Sequence, residues 1–208
     1  MQVIRPFGPT IAKVKIPMEM VDKLNLYVDN VIKDNQKSKN LSFGSVLAGD
    51  VSQEFKLETE YSQKIGWLDF ISKGVFDWIN QSTKKKLTKF QMIESWIVRQ
   101  FQNEYNPIHM HGGHVSGAGF LKIPETFGKH VQKEKIGIND YPGGTLNLVH
   151  GSKQFLSKST FQIKPEVGDF YFFPNYMMHT VYPFKGTDQE RRSISFNAII
   201  DQSIYDVF

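Results

Sequence analysis

Hydrophobic positions along this chain follow two different rhythms. Between Met18 and Asp34, the residues Val21, Leu24, Val28, Val31 and Ile32 recur at the spacing of one helical face, and Pro17 stands at the start, where a missing N–H is tolerated. Leu68, Ile71, Val75, Trp78 and Ile79 repeat the pattern and predict a second helix over Gln63–Gln81, with Gly74 weakening it by roughly 1 kcal/mol relative to alanine. From about residue 91 the rhythm shortens to β-like runs broken by Gly and Pro. Strands are predicted over Ile93–Phe101, Val115–Ile123, Thr145–Val149, Thr160–Ile163, Asp169–Phe173, His179–Tyr182 and Ser193–Ile200. Several short strands joined by turns predict a sandwich or jelly roll. The expected architecture is mainly β. A jelly-roll core over about 91–203 would carry a helical support layer from about 1–90, in one domain spanning 1–208.

Composition narrows the picture only a little. A chain of 208 residues can bury a sizeable core, and its 17 Phe and 8 Tyr favour sheet packing over a helical bundle. The formal charge of +4 suits a pocket for small anions and is too weak to indicate nucleic acid. Lys84, Lys85, Lys86 and Lys89 form the one dense basic run and read as a solvated helix end. The absence of cysteine excludes disulfides, thiolate metal ligands and a cysteine nucleophile, and suits a reducing cytoplasm. The start, MQVIRPFGPTIAKV, lacks an apolar signal region and is broken by Pro6, Gly8 and Pro9. No apolar run approaches the ~20 residues of a membrane helix, so a soluble cytoplasmic protein without a membrane partner is expected. Nothing in the pattern sets the oligomeric state.

Chemistry-bearing residues gather late. Three of the six histidines fall within 109–114. Residues i and i+2 of an extended segment point to the same side, roughly 6.5–7 Å apart, so His109 and His111 can converge on one ion. Helical backbone would not allow this. His179, beyond the aromatic run Phe170–Phe173 and Pro174, can complete a three-imidazole site from a distant strand. His114 shares the parity of neither partner and reads as a loop residue facing the site entrance. His130 and His150 carry no pattern and read as ordinary structural residues. Unrelated surface or core positions remain the plain alternative for the His-x-His pair too.

The segment RRSISFNAII reads as a strand with Arg191, Ser193, Ser195 and Asn197 on one face and Arg192, Ile194, Phe196 and Ala198 on the other. If the first face points inward it needs a polar ligand, because unpaired buried polar groups are costly. Arginine grips a carboxylate with a planar fork, and Ser193 can add a hydrogen bond. Taken alone, the segment fits an edge strand somewhat better, with its polar face in water and Ile194 and Phe196 inward. Its position shortly after His179 favours the inward reading.

These residues together resemble the iron(II)/2-oxoglutarate-dependent dioxygenase superfamily, and within it a branch of short proteins, phage and bacterial members included, with a His-x-His motif. The stretch NPIHMHGGHVSGAGFLKIP resembles the first metal segment, GDFYFFPNYMMH the approach to the distal histidine, and RRSISFN the closing strand. The early FGPTIAKVKIP also looks like the start of such proteins. The resemblance is strong from about 96 to 200 and weaker before that. It implies a double-stranded β-helix holding Fe(II) through His109, His111 and His179. It also implies 2-oxoglutarate bound by Arg191 and Ser193, and O2 consumed to hydroxylate an unspecified prime substrate with release of succinate.

Two departures accompany the resemblance. The superfamily usually has a carboxylate where His111 stands. Three neutral ligands would leave the site one unit more positive, which favours a dianionic co-substrate. Phe120 stands where many relatives carry a tyrosine that helps bind the co-substrate, so that contact is either absent or comes from elsewhere, with Asn106, Tyr105 and Asn147 as the candidate suppliers. Asp169 reads as a turn residue, and Trp67, Trp78 and Trp96 as core.

Two other readings remain open. A cupin-type dioxygenase or isomerase also uses His-x-His and a later His, but Val115 and Ser116 stand where its glutamate belongs, and Arg191 is left unexplained. A non-catalytic jelly-roll binding module would leave the polar strand face beside the histidines without a purpose.

Overall fold

The computed structural model describes residues 1–4, 8–136 and 140–206, so Pro6 and Phe7 of the early motif lie outside the described residues. Two antiparallel sheets face each other. The larger is built from β1 (Gln2–Ile4), β2 (Ile11–Lys15), β3 (Gln53–Lys56), β4 (Phe90–Gln100), β6 (Val115–Lys122), β9 (Asp169–Pro174) and β11 (Arg191–Ile200), in the order β1-β2-β9-β6-β11-β4-β3. The smaller contains β5 (Asn106–His109), β7 (Leu146–Val149), β8 (Thr160–Ile163) and β10 (Met178–Val181), in the order β5-β10-β7-β8. Non-consecutive neighbours in both sheets make this a double-stranded β-helix, as expected.

Helices cover the outer face of the larger sheet. The predicted stripe of α1 (Met18–Lys33) is buried at Val21, Leu24, Val28 and Val31, joined by Tyr27. The predicted second helix is two: α3 (Thr59–Lys64) and α4 (Trp67–Thr83), separated where Gly66 takes a left-handed φ of 79°. Short helices α2 (Asn35–Asn40) and α5 (Gln202–Tyr205) complete the set. Ile71, Val75 and Trp78 of α4 pack with Phe170, Phe172 and Phe196 in one apolar core. Gly74 is what lets the helix approach, since a Cβ there would stand 2.4 Å from Phe172 Cζ. The local cost of glycine is thus offset by close packing.

The reading of residues 1–90 as a helical layer missed three strands. β1, β2 and β3 come from this region and extend the larger sheet at both edges. They are three to five residues long, too short for a periodicity to register. Asp169 opens β9 rather than sitting free in a turn. It is 1% exposed and ion-paired with Lys13 at 2.7 Å and Lys15 at 2.5 Å on β2.

Between the sheets the filling is of two kinds. Phe120, Leu146, Leu148, Ile163, Tyr171, Phe173 and Met177 form a second apolar core. Beside it lies a cavity of about 240 Å³ whose wall mixes polar and apolar residues and carries His109, His111, His179 and Arg191.

Candidate metal and carboxylate site

His109 closes β5 and His179 lies on β10, and the two are direct partners across one antiparallel rung. The distal histidine therefore arrives on the neighbouring strand, closer than its distance along the chain suggests. His111 follows β5 by two residues. Asn175 brackets it: the His111 N–H donates to the Asn175 carbonyl at 3.0 Å, and Asn175 Nδ2 donates to the His111 carbonyl at 3.3 Å. Tyr205 Oη in turn donates to Asn175 Oδ1 at 3.1 Å, so α5 supports this turn from behind.

The three imidazoles present ring nitrogens that all lie within 4.8 Å of one another. His109 Nδ1 lies 2.7 Å from the Pro107 carbonyl and His179 Nδ1 lies 2.8 Å from the Met177 carbonyl. Donation to a carbonyl places the proton on Nδ1 and leaves both Nε2 atoms as lone-pair donors. His111 Nε2 and His179 Nε2 are 2.9 Å apart with rings nearly parallel. Two nitrogens bound at about 2.1 Å and at right angles to one ion would lie about 3 Å apart. The donor set and its spacing therefore fit a metal bound on one face.

Burial pushes all three imidazoles below their ordinary range, and burial with a smaller repulsion from the neighbouring imidazoles brings His111 to about 2 and His179 to about 4. At neutral pH the rings are uncharged, as metal ligation requires. His109, His111 and His179 contribute no carboxylate, and among the described residues none joins their cluster.

Arg191 enters from β11, 2% exposed. Its Nε donates to the Gly144 carbonyl at 2.9 Å and its Nη1 to Ser193 Oγ at 3.2 Å, while the guanidinium lies 5.1 Å above the Phe120 ring. It has no ion pair among the described residues. Burial pulls it down to about 9, which still leaves it cationic at pH 7. Phe120 thus supplies a flat seat for the cation.

Asn106 lines the cavity, whereas Tyr105 and Asn147 are not part of its wall. Asn147 Nδ2 instead donates to Thr145 Oγ1 at 3.0 Å. His114 does not face the entrance. It stacks on Tyr205 at 4.1 Å, and its Nδ1 accepts from the Ile200 N–H at 3.2 Å. Trp67 and Trp78 are core, but Trp96 lines the cavity and lies 5.4 Å from the His111 ring. Sequence reasoning missed Glu54 and Glu94, which also line the cavity. Glu94 alternates with Trp96 and Val98 along β4 and was legible as a same-face residue, but Glu54 sits on a strand with no signal of its own.

Comparison with known proteins agrees with this geometry. Residues 94–197 match the model of a family described as "Putative 2OG-Fe(II) oxygenase". No curated protein sequence matches the chain. Among solved structures, a prolyl-4-hydroxylase from Pseudomonas putida is similar with a TM-score of 0.58 and 13% identity, over 91% of each chain. The viral collagen prolyl hydroxylase of Paramecium bursaria Chlorella virus-1, in complex with 2OG, gives 0.54 and 15%, covering 90% of this chain and 94% of that one. HygX of Streptomyces hygroscopicus, with nickel, 2-oxoglutarate and hygromycin B bound, gives 0.58 and 11%, over 92% and 83%. At such identities the likeness is one of fold.

Proposed function

The chain belongs to the 2OG-Fe(II) oxygenase family, and from that premise we propose how its own residues serve the reaction. The protein is an oxidoreductase, a dioxygenase that uses Fe(II) and 2-oxoglutarate. The family match sets aside the cupin and the non-catalytic binding module. In the proposed assignment, His109, His111 and His179 hold Fe(II) through Nε2. Arg191, with Ser193, takes the distal carboxylate of 2-oxoglutarate. The Asn106 amide flanks the co-substrate where the tyrosine hydroxyl is missing.

Iron, when bound, supplies the redox centre at which dioxygen and the 2-oxo acid react. The protein's part is binding and orientation. Arg191 and Ser193 fix one end of the co-substrate, so its 2-oxo acid end is presented to the histidines. The buried wall excludes water and strengthens the Arg191–carboxylate attraction. The overall balance is 2-oxoglutarate, O2 and a C–H bond of the prime substrate giving succinate, CO2 and an alcohol. In the proposed reading the whole chain, 1–208, acts as one oxygenase unit in the cytoplasm, a setting its lack of cysteine suits.

One observation carries this assignment: a buried arginine with no ion pair among the described residues shares a small cavity with three converging, uncharged imidazoles. The test is conversion of 2-oxoglutarate to succinate by purified protein with Fe(II), ascorbate and oxygen. Slow turnover without prime substrate is the expected result. His179→Ala should drop bound iron from about one per chain to near zero, read by elemental analysis. Stoichiometric iron in that variant would refute the ligand set.

A further inference from the structure

Glu54 is the unexplained group of this cavity. It is 3% exposed, and both carboxyl oxygens lack a hydrogen-bond partner among the described residues. On the sheet, Glu54 of β3 is paired with Val98 of β4, and Val98 with Ser193 of β11. The carboxyl therefore shares a rung with Ser193, two strands away and so about 10 Å across the cavity wall. The loop before β3 closes over it. A Cβ on Gly44 would stand 3.2 Å from Glu54 Oε2, and one on Gly49 3.0 Å from Oε1. The same Gly49 position is 3.0 Å from Asn106 Oδ1, so the loop backbone at Gly49 stands between the Glu54 carboxyl and that amide. Both ends of the loop are pinned, by the Phe43 N–H to the Glu54 carbonyl at 2.8 Å and by the Asp50 N–H to the Tyr105 carbonyl at 2.9 Å.

An acid buried without a donor is costly, and the cavity shows which ligand would remove the cost. Its wall is bipolar. Arg191 is the one Lys or Arg among the described lining residues, and Glu54 and Glu94 are the acids. Arg191 does not relieve Glu54. Burial, with a smaller push from Glu104, raises that acid to about 7, and burial alone lowers Arg191. 2-Oxoglutarate is itself a dianion and offers Glu54 no counterpart. Trp96 stands between Glu94 and Val98 on the same side of β4 and lines the cavity with them. Two acids beside an indole face make a receptor for a nitrogen cation.

We propose that Glu54, with Trp96 and Glu94, forms the prime-substrate subsite, and that the prime substrate presents a basic nitrogen, an ammonium or guanidinium, to the Glu54 carboxyl. This deepens the oxygenase reading and rests on it. Glu54 acts as a specificity-determining residue: a neutral isostere would leave its buried carboxyl unpaired, so discrimination against it is strong.

The test uses full-length protein loaded with Fe(II) and 2-oxoglutarate under argon, titrated calorimetrically with n-butylammonium chloride and with 1-butanol. The expected result is binding of the ammonium at least about tenfold more tightly than the alcohol, with Glu54→Gln bringing the two to within about twofold. Equal affinities, including no binding of either at about 50 mM, overturn the proposal, as does a preference that survives in Glu54→Gln. The melting temperature separates a structural role. Glu54→Gln should melt at or above wild type at pH 7.5, because it removes an unpaired acid. A fall of more than about 5 °C, or failure to fold, overturns the proposal. The calorimetry needs no turnover, so absent succinate formation by wild type would sink the oxygenase reading separately.

Discussion

Arg191 and Arg192 are neighbours on one strand, equally buried, and their surroundings could hardly differ more. Arg192 points toward α1. Its Nη1 donates to the Asn25 carbonyl at 2.9 Å and its Nη2 to Asp29 at 2.8 Å and to Glu190, leaving its Nε without a partner. Glu190 is also held by Arg99 and Lys122, so charge on the helix side is neutralised within the fold. Arg191 points into the cavity and finds one carbonyl, one hydroxyl and a ring. The same contrast holds for acids. Asp169 is paired with two lysines, while Glu54 in the cavity has no partner among the described residues. Charges on the helix side are neutralised within the fold, whereas Arg191 and Glu54 inside the barrel have no ion pair among the described residues.

The contrast can be broken in graded ways. Arg192→Ala should lower stability by about 3 kcal/mol, a fall of roughly 10 °C in melting temperature, because it breaks a buried ionic network. Its effect on 2-oxoglutarate affinity should be small, so a large loss of affinity in the folded variant would erase the distinction. Arg191→Ala reverses the pattern. It should weaken 2-oxoglutarate binding by about 100-fold, read by titration, with iron retained and melting changed by only a few degrees. A severe loss of stability there would mark Arg191 as structural.

Asn175→Ala probes the cavity from behind. Losing the side-chain half of the bracket on His111, with the main-chain half kept, should weaken iron binding by about tenfold, measured by chelator competition, while 2-oxoglutarate turnover at saturating iron stays near wild type. The smallest effect is a pH dependence. Glu54 has a raised folded-state pKa, about 7 against its ordinary 4.5. The folded state therefore holds a proton that the unfolded state releases, and wild type should lose stability as pH rises from about 4.5 to about 7. Relative to Glu54→Gln, the loss should be on the order of 1 kcal/mol in denaturant titrations. A flat difference across that window would mean the acid is partnered in solution.

Much of this contrast was legible in the chain itself. The alternation of RRSISFNAII assigned both faces of β11 correctly, because period-two patterning survives on any strand flanked by two environments. The convergence of His109 and His111 was likewise readable, although His111 stands two residues beyond the end of β5 rather than on the strand. Glu54 was not, since its inward direction depends on β3 pairing with β4, and a short strand reveals its register only through a distant partner. Trp96 was read as core although it lines the cavity, because an indole in a wall and an indole in a core look alike in sequence. His114 was misplaced because its stacking on Tyr205 joins segments far apart in the chain.

Gly74 has a practical consequence for anyone engineering a hardier version of this protein. Replacing glycine within a helix by alanine is a standard stabilising swap, worth up to about 1 kcal/mol. Here the added methyl would strike Phe172, itself wedged among Trp78, Phe170 and Phe196. Helix α4 would have to lift from its seat, and the residue a propensity scale ranks first for replacement is the one to leave alone.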